Sequence, residues 1–110
     1  MDAKLVLHRK GAKPTVIRLK KLPMTIGRGR EADLTIAHPM ISRLHCELYV
    51  ADGALCIRDL GSLNGTFVGD EQISEASLES GDELIIGSAH FKVVINEEAA
   101  AVKEIEAAAV

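Results

Sequence analysis

Residues 57–68 read Ile-Arg-Asp-Leu-Gly-Ser-Leu-Asn-Gly-Thr-Phe-Val and join two apolar runs through a turn signal. The Asn-Gly pair at 64–65 is the dipeptide most typical of a tight turn between antiparallel strands. The Thr-Phe-Val that follows is β-branched and aromatic, a composition that favours strands. The stretch therefore predicts two strands joined as a hairpin across Asn64-Gly65.

The same pattern recurs along the chain, where short β-rich runs, many of them apolar at every second position, alternate with turn residues. Turn material such as Asp52-Gly53 and Gly69-Asp70 separates the runs. Short strands at this spacing are typical of an all-β fold, a sandwich of two sheets. The predicted strands lie within KLVLH, TVIRL, MTIG, DLTIA, HCELYV, ALCIRD, TFVG, DELIIG and HFKVVI.

Length and composition allow a single core. A chain of 110 residues has the size of one domain, and with 47% hydrophobic but only 3% aromatic residues its core must consist of Leu, Ile and Val. We expect that domain to span residues 1–96. An Ala- and Glu-rich tail or linker follows at 97–110, with helix propensity but little surface to bury.

The chain is expected to be cytoplasmic and to have no membrane segment. No apolar run approaches the roughly 20 residues that a membrane-spanning helix needs, and the first ten residues lack the apolar core of a signal peptide. Cys46 and Cys56 both lie in apolar alternating segments. They are therefore predicted to be reduced core residues rather than a disulfide.

Charge is distributed unevenly. Residues 1–45 hold ten Lys and Arg against three acids, whereas residues 46–110 hold three against thirteen. The early basic residues either solvate exposed strand faces or form an anion site, and the pattern leaves both interpretations open. The net charge of −3 and the scarcity of aromatic residues argue against nucleic-acid binding.

Three motifs suggest other chemistry, but their contexts do not support it. Gly27–Ala32 reads GRGREA, like a dinucleotide fingerprint, yet a β-rich run and Pro39 follow where a helix is required. Ser42, His45 and Asp59 are the residue types of a hydrolase triad, but no G-x-S-x-G motif surrounds Ser42, which favours a structural Ser/His pair. The His and Cys residues lack paired ligand spacing, so no metal site is predicted.

One constellation remains, at the ends of predicted strands. Arg28, Ser42, Arg43 and Asn64 supply two guanidinium groups, a hydroxyl and an amide. Guanidinium and hydroxyl groups are suitable donors to a phosphate, and an amide can bond the backbone of a peptide. Together these residues could hold a phosphate and the peptide that carries it.

The arrangement of these residues resembles the forkhead-associated (FHA) domain, a phosphothreonine-binding module. The family's blocks occur in order as Gly27-Arg28, Ser42-Arg43-Leu44-His45 and Asn64-Gly65-Thr66, and the resemblance as a whole covers about residues 4 to 95. Asp59, Ser62 and Gly81-Asp82 also fit the family pattern. The resemblance implies a sandwich of two β-sheets with eleven strands, whose loops grip the ligand at one end.

The resemblance also implies roles for individual residues. Arg28 and Ser42 would contact the phosphate, Arg43 would add a further contact, and Asn64 would bond the backbone of the ligand. Leu63 occupies a position where many members have Thr, so a side-chain contact is missing there or is replaced by a backbone one. The residues implied as loop scaffold are Gly27, His45, Gly65 and Thr66.

The expected function is phosphothreonine-dependent protein–protein interaction in Ser/Thr kinase signalling, by a monomer that is not an enzyme and needs no cofactor or metal. Residues 1–14 and 96–110 contain no Ser or Thr, and the four Thr residues lie in or beside predicted strands. A threonine-phosphorylated ligand is therefore expected in trans. Two alternatives stay open: a phospho-independent scaffold that docks through a sheet face, and the regulatory domain of a larger enzyme.

Overall fold

Two β-sheets packed face to face form the regular structure of residues 1–96, the part of the chain that the computed structural model describes. This confirms the predicted all-β sandwich and its eleven strands. The tail predicted at 97–110 lies outside the described residues. The strands are β1 (Ala3–His8), β2 (Thr15–Arg18), β3 (Met24–Gly27), β4 (Leu34–Thr35), β5 (Cys46–Ala51), β6 (Ala54–Asp59), β7 (Thr66–Val68), β8 (Glu71–Ile73), β9 (Glu75–Ser77), β10 (Glu83–Ile86) and β11 (Ala89–Ile95).

The strands are divided between a sheet of six and a sheet of five. The order is β2-β1-β11-β10-β7-β8 in the first sheet and β4-β3-β5-β6-β9 in the second. Pairing is antiparallel except between β3 and β4, which run parallel. At Asp52-Gly53, which joins β5 to β6, φ angles of 52° and 77° provide the positive φ values that a two-residue type I′ hairpin requires.

The prediction of a hairpin across Asn64-Gly65 is wrong. Strand β6 belongs to the five-stranded sheet and β7 to the six-stranded sheet, so residues 60–65 cross between the sheets. Gly65 has a φ of 88°, but Asn64 is not among the residues with positive φ, and a type I′ turn needs positive φ at both central positions. The Asn-Gly pair therefore belongs to a loop that changes sheet.

Two strands lie where the sequence pattern indicated none. Strands β8 and β9 have three residues each, with a single apolar residue in each, Ile73 and Ala76. A run this short and polar shows no detectable alternation. Both strands owe their conformation to pairing with β7 and β6, respectively.

The core consists of inward-facing aliphatic residues from both sheets, as the composition predicted. Leu5, Ile26, Leu48 and Ile57 are completely buried, and Phe91 is the largest fully buried side chain. Full burial of such a side chain contributes about 1.5–3 kcal/mol each. The core holds the strand ends, and hence the loops that extend from them, in fixed positions.

Both cysteines are free thiols, and the predicted core position holds for Cys46 but not for Cys56, which is outside the buried core cluster. Cys46 is buried at the start of β5 and Cys56 is half-buried in β6. Burial, reinforced by the nearby Asp59 carboxylate, raises the pKa of the Cys46 thiol well above its usual range. Cys46 thus packs as a small neutral core residue.

Within residues 1–96 no helix is long and apolar enough to cross a membrane.

Candidate functional site

Three loops meet at one end of the sandwich. They comprise residues 28–33 after β3, residues 36–45 before β5, and residues 60–65 between β6 and β7. All the predicted site residues lie in these loops or at the strand ends next to them. Residues 40–43 occupy the centre, because they form hydrogen bonds with both of the other loops.

Gly27 allows the first two loops to approach closely. The backbone N–H groups of Arg28 and Gly29 donate to the carbonyl oxygens of Ser42 and Arg43, over 2.9 and 3.0 Å. A Cβ atom built on Gly27 would lie only 2.0 Å from the carbonyl oxygen of Arg43. A residue with a side chain at position 27 would force the backbones apart, which accounts for glycine at this position.

The side chain of Arg28 is anchored at one nitrogen and exposed at the others. Its Nε donates to the carbonyl oxygen of Ile41 over 2.9 Å, which orients the guanidinium group. Within residues 1–96 the ion pairs are Arg43–Glu31 and Arg58–Glu47, so Arg28 has no carboxylate partner in the described structure. The terminal nitrogens of Arg28 are therefore available to an anion.

The hydroxyl of Ser42 is positioned by the third loop. Its Oγ accepts a hydrogen bond from the backbone N–H of Leu63 over 3.0 Å. Because a hydroxyl can accept and donate at once, Ser42 can still donate its own proton. The side chain of Leu63 is 88% exposed, so this residue contributes to the loop through its backbone.

His45 ties the second loop to the third. It is completely buried, and its Nδ1 accepts the backbone N–H of Ser42 over 3.1 Å. The ring proton is therefore on Nε2, which donates to the carbonyl oxygen of Gly65 over 2.8 Å. Since both ring nitrogens are engaged, His45 cannot accept the hydroxyl proton of Ser42 as a triad histidine would. The contact between His45 and the Ser42 backbone N–H therefore holds the loop conformation.

Asn64 also reaches back to the central segment. Its Nδ2 donates to the carbonyl oxygen of Met40 over 2.8 Å, and the residue is exposed. The amide keeps its oxygen and its second N–H for other partners. One acceptor and one donor at an exposed edge can pair with the backbone of an extended peptide.

Asp59 organises the third loop. One carboxylate oxygen accepts the hydroxyl groups of Ser62 and Thr66, and the other accepts the backbone N–H groups of Gly61 and Ser62. Ser62 Oγ in turn accepts the N–H of Gly65 over 3.0 Å. Desolvation raises the pKa of Asp59, but the hydrogen bonds to Ser62, Thr66 and Gly61 outweigh it and leave the pKa below its usual value. Asp59 is thus an ionised hub beneath the loop.

Arg43 differs from Arg28 because it has an acidic partner. Its guanidinium group lies 3.2 Å from the carboxylate of Glu31, and the two side chains are 71% and 50% exposed. Glu31 was not among the predicted site residues, although an acid directly after two arginines was visible at 28–31. The sequence could not identify the carbonyl groups of Met40 and Ile41, because every residue type has one.

The fold and this end of the molecule define a class of protein. It is a β-sandwich whose loops present guanidinium, hydroxyl and amide groups around a short central segment, which is a surface suited to an anionic peptide. A family model described as the FHA domain matches residues 24–87. The chain belongs to the FHA domain family.

Two of the curated relatives that the chain resembles are named as an inhibitor and a regulator. The chain is 41% identical over 73 residues to an oxoglutarate dehydrogenase inhibitor of Corynebacterium diphtheriae, covering 66% of this chain and 50% of the relative. It is 37% identical over 68 residues to the glycogen accumulation regulator GarA of Mycobacterium tuberculosis, covering 62% and 41%. The matched part therefore spans half or less of the length of these relatives.

Solved structures give the same family. A chain from work on phosphothreonine-dependent FHA domain interactions superposes with a TM-score of 0.77 at 26% identity, covering 87% of this chain and 98% of that one. The FhaA FHA domain, solved in complex with the intracellular domain of Rv3910, superposes with a TM-score of 0.73 at 27% identity, covering 83% and 98%.

Proposed function

We propose that this chain binds threonine-phosphorylated peptides through the three loops. The observation that carries the proposal is the arrangement of Arg28, Ser42 and Asn64, each bonded to the segment 40–43 or part of it. Membership of a family whose solved structures include phosphothreonine-dependent complexes supports it.

Phosphate chemistry matches these donors. A phosphothreonine carries about −1.5 to −2 charges and three strong acceptor oxygens near pH 7. Arg28 can donate two parallel bonds to it, Ser42 can donate its hydroxyl proton, and Arg43 can add a second cation. Asn64 would hold the backbone of the peptide beside the phosphothreonine, while Leu63 contributes only backbone.

The scaffold residues hold these donors in place. Gly27 permits the close approach of the first two loops, and His45 fixes the second loop to Gly65. Thr66 anchors the start of β7 to Asp59. A binding site built on fixed loops loses less conformational entropy when a ligand binds.

The proposed role is that of an interaction module rather than an enzyme. A Ser/Thr protein kinase must supply the mark, and the ligand would come from another chain. The relatives named as an inhibitor and a regulator are consistent with such a role.

Substitution of Arg28 tests the site. Arg28→Ala should abolish measurable binding of a phosphothreonine peptide selected from a random library, because loss of a bonded charge partner typically costs about 2–5 kcal/mol in affinity. The control is Arg18→Ala, which removes an exposed cation from β2, outside the three loops. Isothermal calorimetry gives the affinities and a thermal melt verifies the fold.

Two results would contradict the proposed site. The first is an Arg28→Ala variant that melts and binds like the wild type. The second is an equal loss of affinity in Arg18→Ala, which would indicate attraction by overall charge rather than by a specific contact.

A further inference from the structure

Glu31 is an acidic group placed among the cations of an anion-binding site. Its carboxylate lies 3.2 Å from the Arg43 guanidinium group. It also folds over Gly29, since a Cβ atom built there would lie 2.0 Å from Glu31 Oε1. The absence of a side chain at position 29 thus gives the carboxylate its position beside Arg43.

The other acid of the same loop has a structural role. Asp33 Oδ2 accepts both the backbone N–H and the hydroxyl of Thr25, over 2.9 and 3.1 Å, and these bonds lower the pKa of Asp33. Asp33 therefore fixes the loop to β3. Glu31 makes no comparable bond to the scaffold among the described residues, and its side chain is half exposed.

We propose that Glu31 determines which charge the ligand can carry next to its phosphothreonine, favouring a basic residue there and disfavouring an acidic one. The inference rests on the phosphopeptide function proposed above. In addition to the residues proposed to bind the phosphate, the site would then contain a residue, Glu31, that determines sequence preference.

The preference would arise from electrostatic interactions. A phosphate bound between Arg28 and Arg43 would draw the Arg43 guanidinium group toward itself. The negative charge of Glu31 would then be only partly neutralised by Arg43. A Lys or Arg on the ligand can replace the lost partner, whereas a Glu or Asp would place a second carboxylate beside the first. Salt screens such effects beyond about 8 Å, so only ligand positions close to the phosphothreonine should respond.

The test is a charge-swap series by calorimetry. A phosphothreonine peptide that the wild type binds is prepared with Lys or with Glu at each of the positions that flank the phosphothreonine, and the ratio of the two dissociation constants is measured at each position. In Glu31→Gln the ratio should shift toward the Glu peptide by about two- to fivefold at one or more positions, the range for exposed charge pairs. Glu31→Lys should shift it further.

Glu47→Gln is the control, because it removes the acid of the other ion pair within residues 1–96, the partly buried pair with Arg58 on a sheet face. It should leave every ratio unchanged. Ratios in Glu31→Gln that equal those of the wild type at all positions, or an equal shift in Glu47→Gln, would overturn the inference alone. Failure of the wild type to bind any phosphothreonine peptide would instead overturn the proposed function and the inference with it.

Discussion

Ser42 shows how one residue serves both the scaffold and the proposed site. Its backbone N–H donates to His45, its carbonyl oxygen accepts the N–H of Arg28, and its hydroxyl oxygen accepts the N–H of Leu63. Two of the three contacts use backbone atoms and would survive any substitution that keeps the loop conformation. The hydroxyl alone depends on residue type, and it is the group proposed to face the phosphate.

Ser42→Ala should therefore weaken phosphopeptide binding without loss of the fold. The substitution removes one hydroxyl donor to a charged acceptor, which is worth about 1.5–3 kcal/mol, whereas Arg28→Ala removes a cation with several donors and should cost about 2–5 kcal/mol. Calorimetry of the variant beside Ser77→Ala, an exposed serine of β9, measures the difference. Wild-type affinity in Ser42→Ala would mean that the phosphate binds elsewhere.

At the residue scale, the sequence predicted which side chains form the candidate site but not the contacts that position them. Arg28, Ser42 and Asn64 were recognisable because their side-chain chemistry differs from that of ordinary strand residues. The Met40 and Ile41 carbonyl groups that position Asn64 and Arg28 were not, since backbone acceptors leave no mark in a sequence.

At the scale of elements, alternation predicted most strands but not their sheet. The apolar runs at β5 and β6 have period two because one face of each is buried. The Asn-Gly pair at 64–65 suggested a local turn, yet the strands on either side belong to different sheets. Whether β7 joins the sheet of β6 or the other sheet depends on its pairing partners. These partners, β8 and β10, lie further along the chain.

The contact between the first two loops predicts a strong effect at Gly27. Gly27→Ala should lower the thermal melting point more than Gly11→Ala, because the new Cβ would meet the Arg43 carbonyl oxygen, whereas nothing lies within 4 Å of a Cβ at Gly11. Overpacking typically costs about 1–3 kcal/mol, and Gly27→Ala should lie at the upper end of that range because a backbone atom cannot move aside as a side chain can.

Gly11→Ala is a demanding control, because its φ of 75° already disfavours a side chain. Strain in the left-handed region costs about 1–2 kcal/mol. Equal melting points in the two variants would contradict the close approach of residues 27–29 to residues 41–43. Scanning calorimetry of both proteins in one buffer gives the comparison.

At the scale of the whole molecule, overall charge does not indicate the site. Of the ten cations in residues 1–45, only Arg28, Arg30 and Arg43 lie in the three loops, and the others lie in or near β1 and β2. The excess of basic residues is thus mostly a property of one edge of the six-stranded sheet. The sequence left open whether the basic residues solvate exposed strand faces or form an anion site. Their positions in the fold, which composition does not give, show which of them lie in the loops and which lie on the strands.

Stability of the whole domain should depend on the Asp59 hub and therefore on pH. Because the folded-state pKa of Asp59 lies below its usual value, its contribution is complete above the unfolded-state value of about 3.9 and is lost as pH falls through the folded-state pKa. Asp59→Asn should destabilise the domain by about 1–3 kcal/mol at pH 7. The difference in free energy of unfolding between Asp59→Asn and the wild type should become smaller at lower pH.

Urea unfolding at pH 7 and at pH 3 measures that difference. The control is Asp70→Asn, at an exposed acid in the turn between β7 and β8. A difference between Asp59→Asn and the wild type that is the same at both pH values would show that the carboxylate charge of Asp59 does not stabilise the third loop.

The most direct test of the account is a calorimetric titration of the domain with two peptides that differ only in the phosphate on one threonine. The phosphorylated peptide should bind at least about 100-fold more tightly, since two charge-assisted bonds of about 1.5–3 kcal/mol each disappear with the phosphate. Equal affinity for the two peptides would contradict the account and favour a phospho-independent interaction module.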